Sequence, residues 1–404
     1  MSLQRDIVIA GGGMVGLSLA LALERTVGSR FSIMLVEGYP LPEPDAGFAG
    51  RYNPSFDART TALSRSSHLI YEQLGAWSQL SPRCCAIDTI HVSDRGRFGS
   101  TLLRAGDYDW PALGYVIENA WLGNVLAQCF HERNSLEALS PARVESVARQ
   151  GEGVRLLLAD GATIDTRLLI VADGTGSILR DSLGVSASSQ PYGQHALIAN
   201  VGHARAHDGR AFERFTDEGP LALLPLVPEG SGKHRSALVW TLPPERATTL
   251  AGCDETEFLR ALQERFGYRL GRLTRVGERG SYPLALVQAR EQVRRHVVIM
   301  GNAAHTLHPV AGQGFNLALR DVWQLARILG ESDVDDPGEL ALLETYRDSQ
   351  AADQQRTTVF SDRLPGLFRD SDPLLGLSRD LGLLALDAVG PLKREFVAIT
   401  AGVA

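Results

Sequence analysis

The stretch Asp6-Ile-Val-Ile-Ala10-Gly11-Gly-Gly-Met-Val-Gly16-Leu-Ser-Leu-Ala-Leu-Ala-Leu23 decides the fold. Asp6–Ala10 is a short β-branched run, the composition of a buried parallel strand. It runs into Gly11-x-Gly13-x-x-Gly16, after which Leu17–Arg25 carries Ala and Leu at helical spacing. A second apolar run, Phe31–Val36, ends on Glu37, 21 residues beyond the last glycine. Strand, turn, helix and strand within about 30 residues make half of a dinucleotide-binding fold. A pyrophosphate must approach this backbone closely, and a Cβ in its path would block it; the helix that follows aims free N–H groups at the phosphates. Glu37, at the end of the second strand, can accept from ribose hydroxyls. The plainer alternative is a tight turn that packs helix on strand.

The same segment imitates a targeting sequence. Ile7–Leu23 is 17 residues without a charge, just after Arg5. It holds four glycines, lacks a small-residue cleavage site, and falls short of the roughly 20 apolar residues of a membrane helix. No other run approaches that length, so the body of the protein is expected to be soluble.

The composition excludes several classes. At 404 residues, 44% hydrophobic and 22% charged, the chain has ample material for two or three cored domains. A net charge of −7 leaves no basic footprint for nucleic acid. Only Lys233 and Lys393 among the 40 basic residues are lysines, which reads as genome composition. Cys84, Cys85, Cys129 and Cys253 form no CxxC pair and no zinc spacing, so reduced thiols in a cytosolic protein are expected.

Further along, Ala62–Trp77 reads as a helix, and Ile87–Leu103 alternates as strands of a different sheet do. Leu122–Phe130 is helical, and Val154–Leu158 with Leu168–Val171 returns to the first sheet. Residues 187–288 are rich in strand patterns, with one helix near Glu255–Phe266. Val297–Met300 is another buried strand, and helices dominate from Leu317 onward. The expected class is α/β: a Rossmann-like nucleotide domain in three pieces (1–86, 112–186 and 289–365), interrupted by a second mixed β-sheet substrate domain (87–111 and 187–288), with a helical C-terminal region (366–404).

Two more glycine motifs follow predicted strands. Leu168-Leu-Ile-Val-Ala-Asp173-Gly174-Thr-Gly176-Ser177, with Arg180 beyond it, is by itself a common α/β turn. Gly301-Asn302-Ala-Ala-His305-Thr-Leu-His308-Pro309-Val-Ala-Gly312-Gln313-Gly314-Phe-Asn316 leads into a helix expected to start near Phe315. Its Gly-Gln-Gly turn offers backbone N–H groups at a helix N-terminus, a favourable place for an anion. His305 and His308 stand three apart, but no nearby Asp, Glu or Cys completes a metal site, so no metal is expected. His195, at the start of a strand, reads as structural.

Together the three motifs resemble the FAD-dependent aromatic hydroxylases of the p-hydroxybenzoate hydroxylase fold. Within them the chain is most similar to the ubiquinone-biosynthesis branch and its 2-polyprenyl-6-methoxyphenol hydroxylases. The likeness spans roughly residues 5 to 395 and includes Asp57-Ala-Arg59-Thr-Thr-Ala-Leu, Gly209–Thr216, Gly219-Pro-Leu-Ala-Leu-Leu-Pro225 and Tyr282-Pro-Leu. The resemblance implies that Gly11, Gly13, Gly16 and Glu37 hold the ADP half of FAD and that Arg59 lies beside the flavin or its phosphates. Asp173-Gly174 would bridge FAD and the nicotinamide site. Gly312, Gln313 and Gly314 would cover the pyrimidine edge of the flavin, where a helix terminus stabilises the charge of the reduced ring. Asn302 stands where the wider family has Asp, and its amide oxygen would accept from the ribityl chain; Asn316 completes the implied cofactor set. His308, Pro309 and Gln313 are the flavin-facing candidates, with no certain catalytic side chain and no general base identified.

The implied reaction is hydroxylation: NAD(P)H reduces FAD, O2 adds at C4a, and the resulting hydroperoxide transfers one oxygen to an electron-rich phenol, here a polyprenylated methoxyphenol. Other readings of the same motifs are another ubiquinone-pathway ring hydroxylase, a soluble phenol hydroxylase, a polyprenyl reductase, a halogenase or a non-catalytic FAD protein. The halogenase reading fails on the missing Trp-x-Trp-x-Ile motif and the scarcity of lysine. A prenyl tail would bring the protein to a membrane loosely, or to proteins of a ubiquinone-biosynthesis assembly, from the cytoplasmic face. Whether copies of the chain associate is left open. Gly219–Leu226 is a candidate channel wall, and Leu374, Leu377, Leu381, Leu384 and Ala388 form a stripe that reads as core or as a membrane or partner surface.

Overall fold

The computed structural model describes residues 2–45, 47–52, 55–228, 233–308, 312–369 and 390–403. Its first strand, Ser2–Ala10, pairs in parallel with Ile33–Val36 on one side and Thr163–Val171 on the other. Ile7 and Ile9 point into a core shared with the helices Met14–Val27, Asn119–His131 and Gln313–Glu331. Val8 and Ala10 point the other way, into a second core with Leu156, Ile164 and Leu169. Burial on both faces is why consecutive positions are apolar, and hence why Ile7–Leu23 imitates a membrane segment. Among the described residues, no helix is long and apolar enough to cross a membrane.

The sheet continues to Leu136–Leu139 at one edge, and through Thr163–Val171 and Val297–Ile299 to the short antiparallel strand Val293–Arg294 at the other. The strands that precede the three glycine motifs are therefore parallel neighbours, and the motifs emerge together at their carboxyl ends. Met14–Val27 lies against Gln313–Glu331 closely enough that a Cβ on Gly330 would sit 2.8 Å from the Cβ of Thr26.

A second sheet has nine strands. Its middle is Ala187–His203, Arg235–Leu242, Pro220–Pro225 and Arg210–Phe215. Thr89–Asp94 and Ser100–Arg104, from much earlier in the chain, complete one edge. At the other edge His305–Thr306 pairs with Gly280–Ala289, so the third glycine motif is bonded to both sheets. One face of this sheet packs under the helices Pro244–Gly252 and Glu255–Phe266, burying Leu197, Leu221, Leu223, Leu238 and Trp240. The latter helix begins at the expected residue because Asp254 caps it, accepting from the Glu257 N–H at 2.8 Å.

The opposite face meets the nucleotide domain. Asn200 donates to the carbonyls of Phe56 and Ala58 at 2.7 and 2.8 Å. Arg235 donates to Ser55 O at 2.9 Å and pairs with Glu118 at 2.6 Å, both side chains being under a tenth exposed. The second Glu118 oxygen accepts from Tyr52 at 2.5 Å. With so many partners this buried ion pair fixes one approach of the two domains, because either charge left alone would be costly.

The expected helix over Ala62–Trp77 is corrected. Thr60–Ser64 is a strand, paired antiparallel with Gly114–Glu118, which also pairs with Cys85–Ile87 to form a separate three-stranded sheet. A Cβ on Gly114 would lie 2.5 Å from Leu63 O, so this pairing is tight. The helix Arg65–Gln73 starts only where Ser64 accepts from the Ser67 N–H, and a turn at Gly75 (φ +74°) separates it from Trp77–Leu80. Another helix forms at Gln313, two residues before its expected start. In the C-terminal region Leu340–Arg369 and Gly390–Ala401 are helical; the stripe from Leu374 to Ala388 lies outside the described residues.

Candidate cofactor and substrate site

At the first motif the glycines divide by role. Gly11 has φ +116°, and a Cβ there would lie 2.4 Å from Ala172 O on the neighbouring strand. A Cβ on Gly16 would lie 1.8 Å from Gly11 O. Both are required by the turn itself. Gly13 is exposed, with nothing within 4 Å of the position its Cβ would take. It also begins the helix Met14–Val27 with no side-chain cap and no acidic residue in the first turn, so the first N–H groups of that helix remain available. Glu37 closes the site: its carboxylate accepts from Gly12 N–H at 2.5 Å and Tyr39 N–H at 2.9 Å. A carboxylate has about four lone-pair positions, so two remain for ribose hydroxyls.

The second motif stands next to the first, across the Ala172–Gly11 contact. Asp173 is exposed at the strand end and accepts from Leu179 N–H at 3.3 Å; Ser177 caps the same short helix. Gly174, at φ +89°, has open space around its missing side chain. Arg180 is buried, and its guanidinium reaches Ala303 O of the third motif at 3.1 Å. Gly301 in turn approaches Val15 of the first helix: a Cβ on Gly301 would lie 3.3 Å from Val15 Cγ1. Asn302 is left exposed beside that contact. The three motifs thus form one continuous rim.

In the Gly312-Gln-Gly turn, Gly312 has φ +60° and faces Ala62, whereas Gly314 has open space beside it among the described residues. The helix Gln313–Glu331, like the first, has no side-chain cap. Two expected cofactor side chains are reassigned. Asn316 is buried with its amide fully used: Oδ1 accepts from Ser64 N–H (2.8 Å) and Ser67 Oγ (2.7 Å), and Nδ2 donates to Ala62 O (2.9 Å) and Gly312 O (2.8 Å). It clamps the turn to the Thr60–Ser64 strand and has no capacity left for a ligand. Gln313 donates its amide to Thr400 O at 3.1 Å, on the Gly390–Ala401 helix. What it presents at the turn is backbone.

The other candidates sit around this rim. Arg59 is exposed, donates to the Tyr282 hydroxyl and lies 5.1 Å from that ring's centre. With Thr60, Ile198, Asn200 and Gly280 the two residues line a cavity of about 70 Å³ between the sheets. His308 is buried edge-on to Tyr192, ring centres 5.1 Å apart, and burial pushes its pKa down to about 4. It is therefore a neutral imidazole near pH 7. Pro309 lies outside the described residues. His305 is held through Nε2 by Asp321 at 2.8 Å, and Asp321 also accepts from Gln354 at 3.0 Å. His195 meets Ser281 Oγ at 3.0 Å within the sheet. The sequence reading missed Asp321 and Tyr192; nothing in local pattern marks either as a histidine's partner.

The site fits FAD. Two helices begin without side-chain caps, each with one glycine, Gly13 or Gly314, whose missing Cβ leaves room. An acid and an amide stand exposed or partly free at strand ends between them. The comparisons agree. Residues 65–361 match the family model described as FAD binding domain. The chain is 35% identical over 395 residues to ubiquinone hydroxylase UbiL of Rhodospirillum rubrum, covering 97% of this chain and 88% of that protein. It is 30% identical over 396 residues to 3-demethoxyubiquinol 3-hydroxylase of Escherichia coli, covering 96% of each. In fold it is similar to p-nitrophenol 4-monooxygenase PnpA from Pseudomonas putida (TM-score 0.76, 18% identity, 98% of this chain and 97% of that one). It is similar likewise to pqsL, a probable FAD-dependent monooxygenase from Pseudomonas aeruginosa (TM-score 0.75, 21% identity, 94% and 99%). The class is that of FAD-dependent monooxygenases with the p-hydroxybenzoate hydroxylase fold. Within it, the chain belongs to the family of FAD-dependent hydroxylases of ubiquinone biosynthesis.

Proposed function

We propose that the protein hydroxylates the ring of a polyprenylated methoxyphenol, with NAD(P)H as electron donor and O2 as co-substrate. The observation that supports this most is the opposition of the glycine rim to one face of the nine-stranded sheet, with the cavity at Arg59 and Tyr282 between them. FAD, when bound, supplies the redox chemistry that activates oxygen; the protein supplies placement and dryness. Glu37 would hold the ribose, the Gly13 turn the pyrophosphate, Asn302 the ribityl chain, and the Gly314 turn the pyrimidine edge. Asp173-Gly174 would border the nicotinamide approach. His308, neutral and buried, adds no charge beside the ring.

The candidate wall Gly219–Leu226 divides by strand alternation. Leu221 and Leu223 are buried under the helices, whereas Ala222 and Leu224 are half-buried on the face toward the cofactor domain. Alternate residues only would meet a substrate. A prenyl tail favours lipid by on the order of 3–4 kcal/mol per five-carbon unit, so the enzyme would work at the cytoplasmic face of a membrane, held loosely or through proteins of a ubiquinone-biosynthesis assembly. A second reading is the demethoxyubiquinol substrate named for the Escherichia coli relative. Turnover of both substrates, at several tail lengths in detergent, separates them. Equal turnover of p-hydroxybenzoate and prenylated phenols would replace the quinone-pathway reading with a soluble phenol hydroxylase.

A further inference from the structure

Directly opposed residues on neighbouring strands project to the same face of a sheet. One such row crosses the nine-stranded sheet as Val92, Glu213, Ala222, Val239, Ile198 and Gly280. It lies on the face toward the cofactor domain, since Asn200 and Arg235, which bond that domain, are an even number of residues from Ile198 and Val239. All six residues are half-buried. In the rows on either side Ala211, Ala237 and Asn200, and Phe215, Thr241 and Ala196, are each under a twentieth exposed, whereas Ile90 and Leu224 of the first row are half-buried and Tyr282 of the second is exposed. The row leads from Glu213 across the sheet to Ile198 and Gly280, which line the cavity with Arg59 and Tyr282.

Glu213 is the one titratable residue in that row. Among the described residues its carboxylate has neither a hydrogen-bond donor nor an ion-pair partner, an arrangement that costs stability and is common where a group has chemical work. Charged groups carried by the surrounding elements include Asp94 on the next strand, the Arg235–Glu118 pair, Asp362 and Arg363 on the Leu340–Arg369 helix, and Lys393, Arg394 and Glu395 on the Gly390–Ala401 helix. None of them sets its proton affinity. Burial alone does, lifting the pKa to about 7.

We propose that Glu213 is the general base of the hydroxylation, its carboxylate taking the proton of the substrate's phenolic hydroxyl. The inference rests on the hydroxylase reading. Only a proton moves in this step. The O–H bond breaks, its electron pair stays on the oxygen and enriches the ring, and the proton resides on Glu213 until the hydroxylated product takes it back. A phenol has a pKa of about 10 and an ordinary glutamate about 4.3, so lifting the acceptor toward 7 halves the mismatch. General acid–base catalysis works best with a group near the operating pH.

The test compares wild type with Glu213→Gln and Glu213→Asp, all loaded with FAD, in single turnovers of a short-tailed prenylated methoxyphenol between pH 5.5 and 8.5. The wild-type rate should rise through about pH 7. Glu213→Gln should be about 10²–10⁴-fold slower and lack that limb, and Glu213→Asp should recover part of both. Gln keeps the shape and removes an unpaired charge, so FAD uptake should match wild type. Infrared difference spectra without substrate should show a protonated carboxyl band that titrates near neutral pH and is absent from Glu213→Gln. A Glu213→Gln enzyme with the wild-type rate and pH limb, or an unchanged infrared band, overturns the assignment while leaving the hydroxylase reading intact. A wild-type enzyme that hydroxylates no prenylated phenol overturns both.

Discussion

The first and third glycine turns start two long helices in the same way, yet they spend their side chains differently. At Gly11–Gly16 the turn is held mainly by backbone approaches, Gly11 against Ala172 O and Gly16 against Gly11 O, with the Glu37 carboxylate accepting from Gly12 N–H. At Gly312–Asn316 it is held by a side chain, the Asn316 amide with its four hydrogen bonds. Each turn then leaves one glycine facing space, Gly13 in the first and Gly314 in the third. A motif that looks uniform in sequence is therefore part scaffold and part ligand surface. The two parts separate on the question of what a Cβ would touch.

Substitutions should break that division in order of size. Gly16→Val forces a side chain onto Gly11 O, so the largest effect expected is loss of the folded state, on the order of 4–5 kcal/mol or more, seen as no cooperative melt by circular dichroism. Gly13→Val should leave the apoprotein's melt near that of wild type and abolish FAD retention on gel filtration. A Gly13→Val protein that copurifies with FAD would show that the turn is scaffold throughout. Asn316→Ala should cost about 1–3 kcal/mol by leaving buried backbone groups at Ser64, Ala62 and Gly312 unsatisfied, while saturating FAD binding persists. Loss of FAD binding without loss of stability would return Asn316 to the cofactor set. The smallest change is expected from Gly314→Ala: stability within about 0.5 kcal/mol, with slower reduction of the bound flavin by nicotinamide as the readout.

The same division governs what could be read in the sequence. Gly11-x-Gly13-x-x-Gly16 with Glu37 was legible because close approach needs glycine and strand ends need an acid, both local requirements. The double burial of Ile7–Ala10 was legible from its unbroken apolar run. Thr60–Ser64 was not, because its strand character depends on Gly114–Glu118, some fifty residues away, and the apolar positions that follow it continue at helical spacing. The Ser64 cap was the available signal for the true helix start. Asn316 was misread because three of its four partners, Ala62, Ser64 and Ser67, lie some 250 residues away in the chain. Glu213 sits in Arg210-Ala-Phe-Glu-Arg-Phe215, where the alternation puts a carboxylate between Ala211 and Phe215 on one face. That pattern was present in the sequence, but only the strand pairing shows which face looks toward the cofactor domain.

The central claim is that this rim and the sheet face opposite it carry out oxygen insertion into a ring. The most direct measurement is turnover of a prenylated methoxyphenol by the FAD-loaded enzyme with NAD(P)H under ¹⁸O₂, with mass analysis of the product. The account predicts one ring hydroxyl per O2 consumed, carrying ¹⁸O. A product that forms without oxygen, or whose new oxygen is unlabelled, would contradict it.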